Sequence, residues 1–335
     1  MIGRIFRFLF VFNFLIFVGC SEVKSSTDFY NFNVFAKNMF LRIYINDAEI
    51  MKTADFNQIS FTEGLRKYLI NGENNIVIDV APFDTSNSSY EFHDDVKLEI
   101  TIDGYTSENG IRSKEREIHL AAFTFDENGH VIEEDKGEFT GKKVLYKSGN
   151  IQRIGFEDVG EISIPYRSDS STTNSKRFEI KFDVADGDII NPPWINALEI
   201  KEYSDIEEKV LDKYKDIWTS ISKGDYEKYI DILGTVLDRT AYTTGYSNRY
   251  EVASKIFPNN NLVPDGATLM DLNDWEKKYK KSYVTLSPNR KLVRINPNPI
   301  RFYDRDGKDR IGMSYYLCMT KTGIIDVCYQ KDTGM

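Results

Sequence analysis

The stretch Leu41-Arg42-Ile43-Tyr44-Ile45-Asn46-Asp47-Ala48-Glu49-Ile50 decides how the first half of the chain is read. Residues 40–46 are rich in apolar and aromatic side chains with Arg42 and Tyr44 interleaved, the pattern of a strand. Asn46-Asp47 carries turn chemistry, because both side chains tolerate left-handed backbone, and 48–52 returns as a partner strand. Working outward, further strands are expected at 76–80, 96–102, 117–125, 151–156, 161–165 and 177–184. Turn signals separate them: Asp103-Gly104, Asn109-Gly110, Asn128-Gly129 and the polar run 168–175. Many short strands with turns at this spacing predict an antiparallel β-sandwich over 29–190.

At Asn191-Pro192-Pro193-Trp194 the character changes, because two prolines stop either regular structure. Ser204-Asp205-Ile206-Glu207 fits a capping box, after which Ile206, Val210, Tyr214, Ile217, Trp218 and Ile221 recur on one helical face. Gly224-Asp225 restarts a second helix with Tyr226, Tyr229, Ile230 and Leu233 inward, and further helices are expected at 249–256 and 271–280. Strands return at 291–295, 300–303, 310–320 and 324–329, with Asp306-Gly307 as a hairpin turn. Helices followed by a meander predict a smaller α+β domain over 195–335, so the fold class is mainly β with α+β.

The N-terminus carries the plainest functional signal. Arg4 and Arg7 precede an apolar run over 8–18 broken only by Asn13, and no acidic residue occurs before Glu22. This is a signal-peptide layout over 1–19. Its end, Phe17-Val18-Gly19-Cys20, resembles a bacterial lipobox, with phenylalanine where leucine is usual. The resemblance implies acylation of Cys20, cleavage before it, and a bilayer partner held by several acyl chains. Residues 20–28, with Ser25-Ser26-Thr27, would then form a lipidated tether. Ser21 in place of aspartate implies an outer-membrane destination facing the periplasm, if the cell has two membranes. The alternatives are an uncleaved anchor and a plain secretory signal.

Charge and composition narrow the partners. The 335 residues carry a formal charge of -9, and loss of Arg4 and Arg7 with the signal takes it to -11. An acidic chain argues against a nucleic-acid partner, which needs clustered Lys and Arg, and permits a basic one. With Cys20 assigned to lipid, Cys318 and Cys328 remain. A loop over 322–324 would set them opposite each other and allow a disulfide; a loop shifted by one residue would separate them, leaving two buried thiols.

Three family resemblances bear on fold and role. Residues 41–50, together with Tyr68-Leu69-Ile70-Asn71-Gly72-Glu73-Asn74-Asn75-Ile76-Val77-Ile78, look like two segments of jelly-roll sandwiches, with Asp47 where those carry glycine. An acidic lipoprotein with a sandwich and then a small α+β domain resembles the immunity lipoproteins that neutralise effectors delivered by type VI-like secretion. The helix pair over 214–233 ahead of a sheet also looks like the NTF2-like fold. The immunity resemblance implies a secreted effector as partner, and with no catalytic constellation in the sequence the expected role is that of a non-enzymatic binding protein. The alternative is an envelope lipoprotein that binds glycan or peptidoglycan.

No catalytic, metal or cofactor constellation is expected. His93, His119 and His130 lack metal-site spacing, no GxSxG or phosphate-binding loop occurs, and the C-terminal half has no histidine for a triad. Asp304-Arg305-Asp306-Gly307-Lys308-Asp309 is read as a solvated hairpin tip, with calcium ligation the alternative. The acidic stretches 91–95 and 133–135 are read as wet loops. Tyr242, Tyr246 and Tyr250, spaced by four, are either packing residues or an exposed aromatic platform.

Overall fold

The computed structural model describes residues 29–52, 58–82, 93–108, 111–126, 128, 130–133, 151–163, 172–184, 189–201, 205–278 and 283–331. The signal segment, the lipobox with Cys20 and the tether lie outside these residues, as do Asn109, Gly110, Gly129 and Ser204.

The first half is built from β1 (Phe29–Lys37), β2 (Met39–Ile45), β3 (Ala48–Lys52), β4 (Gln58–Gly64), β5 (Gly72–Pro82), β6 (Lys97–Glu108), β7 (Ile111–Phe125), β8 (Val131–Glu133), β9 (Ile151–Ser163) and β10 (Thr172–Val184). They pair into two five-stranded sheets, β4-β1-β6-β7-β8 and β3-β2-β5-β10-β9. Period-two alternation turns Phe32, Val34, Leu98 and Ile100 of one sheet onto Leu41, Ile43, Ile76 and Ile78 of the other, giving one shared core. The expected sandwich is therefore present.

Three local expectations are corrected. Asp103-Gly104 is not a turn but runs through β6, where a register shift against β7 falls between Gly104 and Tyr105. The two strands expected at 151–156 and 161–165 are one, β9, and part of the polar run 168–175 belongs to β10. β4 is polar enough to hide in the sequence because it is an edge strand, paired to β1 alone.

The two stretches likened to jelly-roll segments meet in space. Asn46 and Asp47 take positive φ of 47° and 74°, the primed hairpin turn that a right-twisted strand pair favours. The Asn46 amide donates to Asn74 Oδ1 at 2.8 Å and to the Tyr68 carbonyl at 2.9 Å. Asn74 Nδ2 in turn donates to the carbonyls of Ile70 and Gly72 at 2.9 Å. Both turns are thus fixed by buried amides whose bonds are made within the fold.

The second half opens with α1 (Ile206–Ser222), α2 (Tyr226–Ile232), α3 (Gly234–Thr244) and α4 (Arg249–Ile256), then β11 (Thr268–Leu269) and α5 (Leu272–Lys278). It closes with β12 (Tyr283–Leu286), β13 (Val293–Asn296), β14 (Arg301–Tyr303), β15 (Asp309–Gly312), β16 (Ser314–Met319) and β17 (Ile325–Lys331). The sheets are β12-β13-β16-β17 and β11-β14-β15. The expected face of α1 is buried at Val210, Tyr214, Ile217 and Ile221, against Val293, Leu317 and Val327. Its N-cap is Asp205, whose carboxylate pairs with Lys209 at 2.7 Å instead of capping the helix. α3 was not expected as a helix; Leu233 alone separates it from α2. The α+β arrangement holds, and its sheet order does not by itself identify an NTF2-like fold.

Cys318 and Cys328 are joined in a disulfide, but not by the expected direct pairing. The turn is shifted by one residue, so Cys318 stands opposite Asp326. A bulge then leaves Cys328 as the extra residue between Val327 and Tyr329, and brings the two Cα atoms to 5.7 Å.

The proline boundary marks a change of secondary structure and not a break in packing. Trp194, only 2% exposed, and Leu292, Tyr316, Cys318, Cys328 and Tyr329 all belong to the sandwich core. The Trp194 indole donates to the Asn46 carbonyl, tying the boundary to the first turn. Trp194→Ala is expected to cost ~3–5 kcal/mol in urea unfolding, because it empties a core site and orphans that carbonyl.

Candidate functional site

The polar chemistry concentrates where the two halves meet. With Leu41, Ile43 and Ile45 turned inward, Arg42 and Tyr44 stand on the outer face of β2. A bulge between Ile43 and Tyr44 makes Ile50 the extra residue of β3 and sets Glu49 opposite Tyr44. On an isolated sandwich this face would be wet. Here β17 packs on β3, and Glu49 is only 1% exposed.

Glu49 is held from both halves. Its carboxylate accepts from Arg294 Nη2 at 3.1 Å and from Lys331 Nζ at 3.2 Å, and Arg42 Nε lies at 3.9 Å. Tyr329 donates its hydroxyl to the Glu49 carbonyl at 3.3 Å, and the Arg294 guanidinium lies 4.9 Å from the Tyr316 ring centre. Burial alone would push this carboxyl up, but Arg294, Lys331, Arg42 and Lys52 outweigh it and hold it down at about 2. Nearby Asp79 is already matched by Arg177 at 2.7 Å.

Lys52, at the end of β3, is less well compensated. Its ammonium makes no hydrogen bond or ion pair among the described residues. Burial first, then Arg42, Arg294 and Lys331, bring its ammonium down to about 7 against the pull of Glu49. It lines a cavity of about 230 Å³ with Lys67, Lys331, Glu63, Ile59 and Phe61. Lys67 pairs with Glu63 at 2.7 Å.

A second cavity of about 330 Å³ shares Lys67 and Tyr329 with the first and lies under α3, against Val236, Leu237, Thr240 and Thr243. Arg239 of α3 pins this side. Its Nη2 donates to the carbonyls of Arg66, Lys67 and Leu69 at 3.2–3.4 Å, and burial lowers its guanidinium to about 10. Arg239 and Arg66 also flank Tyr242, at 5.4 Å and 5.5 Å from its ring centre.

The tyrosines spaced by four part company. Tyr242 is held by those guanidiniums and by the Ile190 amide, which donates to its hydroxyl at 3.2 Å. Tyr246 and Tyr250 are exposed by 36% and 51%, and Ile256 at the end of α4 by 39%. The corner between α3 and α4 is tied by local contacts. Gly245 ends α3 at φ 80°, Asn248 caps the Tyr250 and Glu251 amides at 3.0 Å, and Glu251 accepts from Ser247 Oγ at 2.6 Å. Arg249 Nε clamps Asp238 of α3 at 2.9 Å.

Other sequence candidates are placed as follows. His93 precedes β6, His119 lies in β7 opposite Thr101, and His130 is exposed with Nδ1 2.9 Å from Asp126. Among the described residues no group of three metal-ligating side chains is assembled. Asp304 begins the β14–β15 turn, and its Oδ1 accepts from the amides of Asp306 and Lys308 at 2.9 Å, so the cluster is a hairpin tip. Glu49, Lys52, Arg294 and Lys331 were not anticipated. The one signal for them was the acidic residue inside the apolar run 48–51. Among the described residues no helix is long and apolar enough to cross a membrane. No protein-family model, curated protein or solved structure matches the chain.

The two charges at the interface make opposite predictions. Glu49→Gln leaves buried cations unpaired and is expected to cost ~3–5 kcal/mol at pH 7. The wild-type contribution is complete above the ordinary value of 4.5 and is lost as pH falls toward about 2, which acid unfolding of the variant and parent would check. Lys52→Met removes a poorly compensated cation and should stabilise by roughly 1–3 kcal/mol near pH 7, after allowance for solvent screening. Because folding lowers this ammonium from 10.5 to about 7, wild-type stability recovers as pH rises through that window and the gap between the two proteins closes.

Proposed function

We propose that this chain is an envelope lipoprotein, held on the membrane through acylated Cys20, that acts as a non-enzymatic binding protein. In its most concrete form it is an immunity protein that neutralises a secreted effector in the periplasm. The observation that carries the reading is the α3–α4 corner, where Tyr246, Tyr250 and Ile256 stand exposed on a capped and ion-paired frame. Aromatic residues presented rigidly lose little entropy on binding and are enriched among interface hot spots. The acidic chain, at -9, favours a basic effector and would steer its approach. Packing between the halves lets both contribute to one rigid docking body.

Two tests follow. The wild type should incorporate a labelled fatty acid and lose its first 19 residues, and Cys20→Ser should do neither; a wild type that takes up no label would contradict lipid anchoring. The full chain should capture a secreted protein whose retention falls at least about tenfold in Tyr246→Ala/Tyr250→Ala. Co-expression of the wild type, but not of that variant, should relieve the toxicity of the captured protein. Equal retention by both forms, or no relief, would sink the immunity reading.

A further inference from the structure

The cavity beside Lys52 has features that the effector reading does not use. Arg42, Lys52, Lys67, Arg294 and Lys331 gather around Glu49 and Glu63, and Asp79 is matched by Arg177. Cations therefore exceed carboxylates among the described residues here, inside a chain whose total charge is -9. Like charges brought together in a half-buried site repel and lose hydration. A fold selected for stability alone would place a carboxylate or an apolar side chain at position 52. A poorly compensated charge at a concave site is one way in which stability is traded for binding.

The cavity's shape and lining narrow the ligand. Lys52, Lys67 and Lys331 offer ammonium donors that can rotate onto oxygens of varied geometry, as point charges do on phosphate and carboxylate. The hydroxyl of Tyr68 lies 3.4 Å from that of Tyr329, and both residues border the same space. On the other side Ile59 and Phe61 of β4 present apolar surface, alternating with the exposed Ser60 and Thr62. A cavity of about 150 Å³ accepts a benzene ring. The 230 Å³ here has room for a ring of that size and a charged head. The two halves supply different parts: Lys52, Lys67, Ile59 and Phe61 come from the sandwich, and Lys331 and Tyr329 from β17.

We infer that the cavity between the two halves is a binding site for a small organic oxyanion, whose phosphate or carboxylate head meets Lys52, Lys67 and Lys331 and whose apolar part lies on Ile59 and Phe61. Occupation places negative charge beside the Lys52 ammonium and bridges the two halves. The site is separate from the α3–α4 corner, so it stands or falls independently of the effector reading.

The test uses the full chain in detergent, with phenyl phosphate, phenylacetate, inorganic phosphate and chloride at constant ionic strength. Thermal unfolding and direct titration are both read. Phenyl phosphate or phenylacetate should raise the melting temperature of the wild type by several degrees at saturation, well beyond inorganic phosphate, whose smaller effect separates the head group from the apolar contact. Which of the two organic probes acts identifies the head group. Lys52→Met, which should melt higher than wild type when unliganded, should bind the same probe at least about tenfold more weakly. Lys67→Met, which removes a partly exposed pair with Glu63, should weaken binding in the same direction, with the unliganded melting temperature read alongside to show that the variant is folded. No stabilisation of the wild type by either organic probe, or equal binding by Lys52→Met, would overturn the inference. Inorganic phosphate acting as strongly as phenyl phosphate would overturn the apolar half of it.

Discussion

The structure depends on one buried carboxylate. Glu49 sits in a strand of the sandwich, yet its ion-pair partners include Arg294 of β13 and Lys331 of β17, at 3.1 Å and 3.2 Å. A carboxylate out of water is tolerated only when cations meet it, so a docking that buries Glu49 must also bring Arg294 and Lys331 to it. The surrounding contacts follow from that docking. Tyr329 stacks near Trp194 and Tyr316, Asp47 accepts from the Asn289 backbone at 2.7 Å, and Arg239 gathers three carbonyls of the turn that leads into β5. A buried ion cluster is a poor source of net stability, but removing one of its partners is costly because a charge is then left buried and unpaired.

The cluster also explains why function and packing are hard to separate here. The cations that hold Glu49 are continuous with those that line the cavity beside Lys52, so the charge that positions the halves also shapes the space between them. The outward aromatic corner is different. It is held by its own caps and by the Arg249–Asp238 pair, and it stands on the far end of α3 from the α2–α3 junction. One body thus carries an inner, cationic concavity and an outer, aromatic projection.

Much of the fold was legible in the sequence because its signals are local. Alternation along 40–46, the Asn46-Asp47 turn and the 3.6-residue face of α1 each depend on a few neighbouring residues, and each was recovered. Asp103-Gly104 misled because turn chemistry inside a long paired strand can be absorbed by a register shift. The disulfide was open because its geometry hangs on a bulge at Cys328 that no spacing rule announces. β4 and α3 were missed for different reasons: an edge strand needs little apolar surface, and α3 starts at Gly234, one residue after α2, where a glycine reads as the end of a helix. The interface was least legible. Nothing local to Arg42, Tyr44 and Glu49 announces burial, and only the second half, more than two hundred residues downstream at Arg294, makes their face an interior.

The most direct test of the account is native-state hydrogen exchange on wild type and Arg294→Met. If the ion cluster makes the halves one cooperative unit, a substitution in β13 should lower protection in β2 and β5 of the sandwich by as much as in β16 and β17. Protection lost from β16 and β17 alone, with β2 and β5 unchanged, would mean that the halves are stable separately and that Glu49 is not the constraint on which the structure rests.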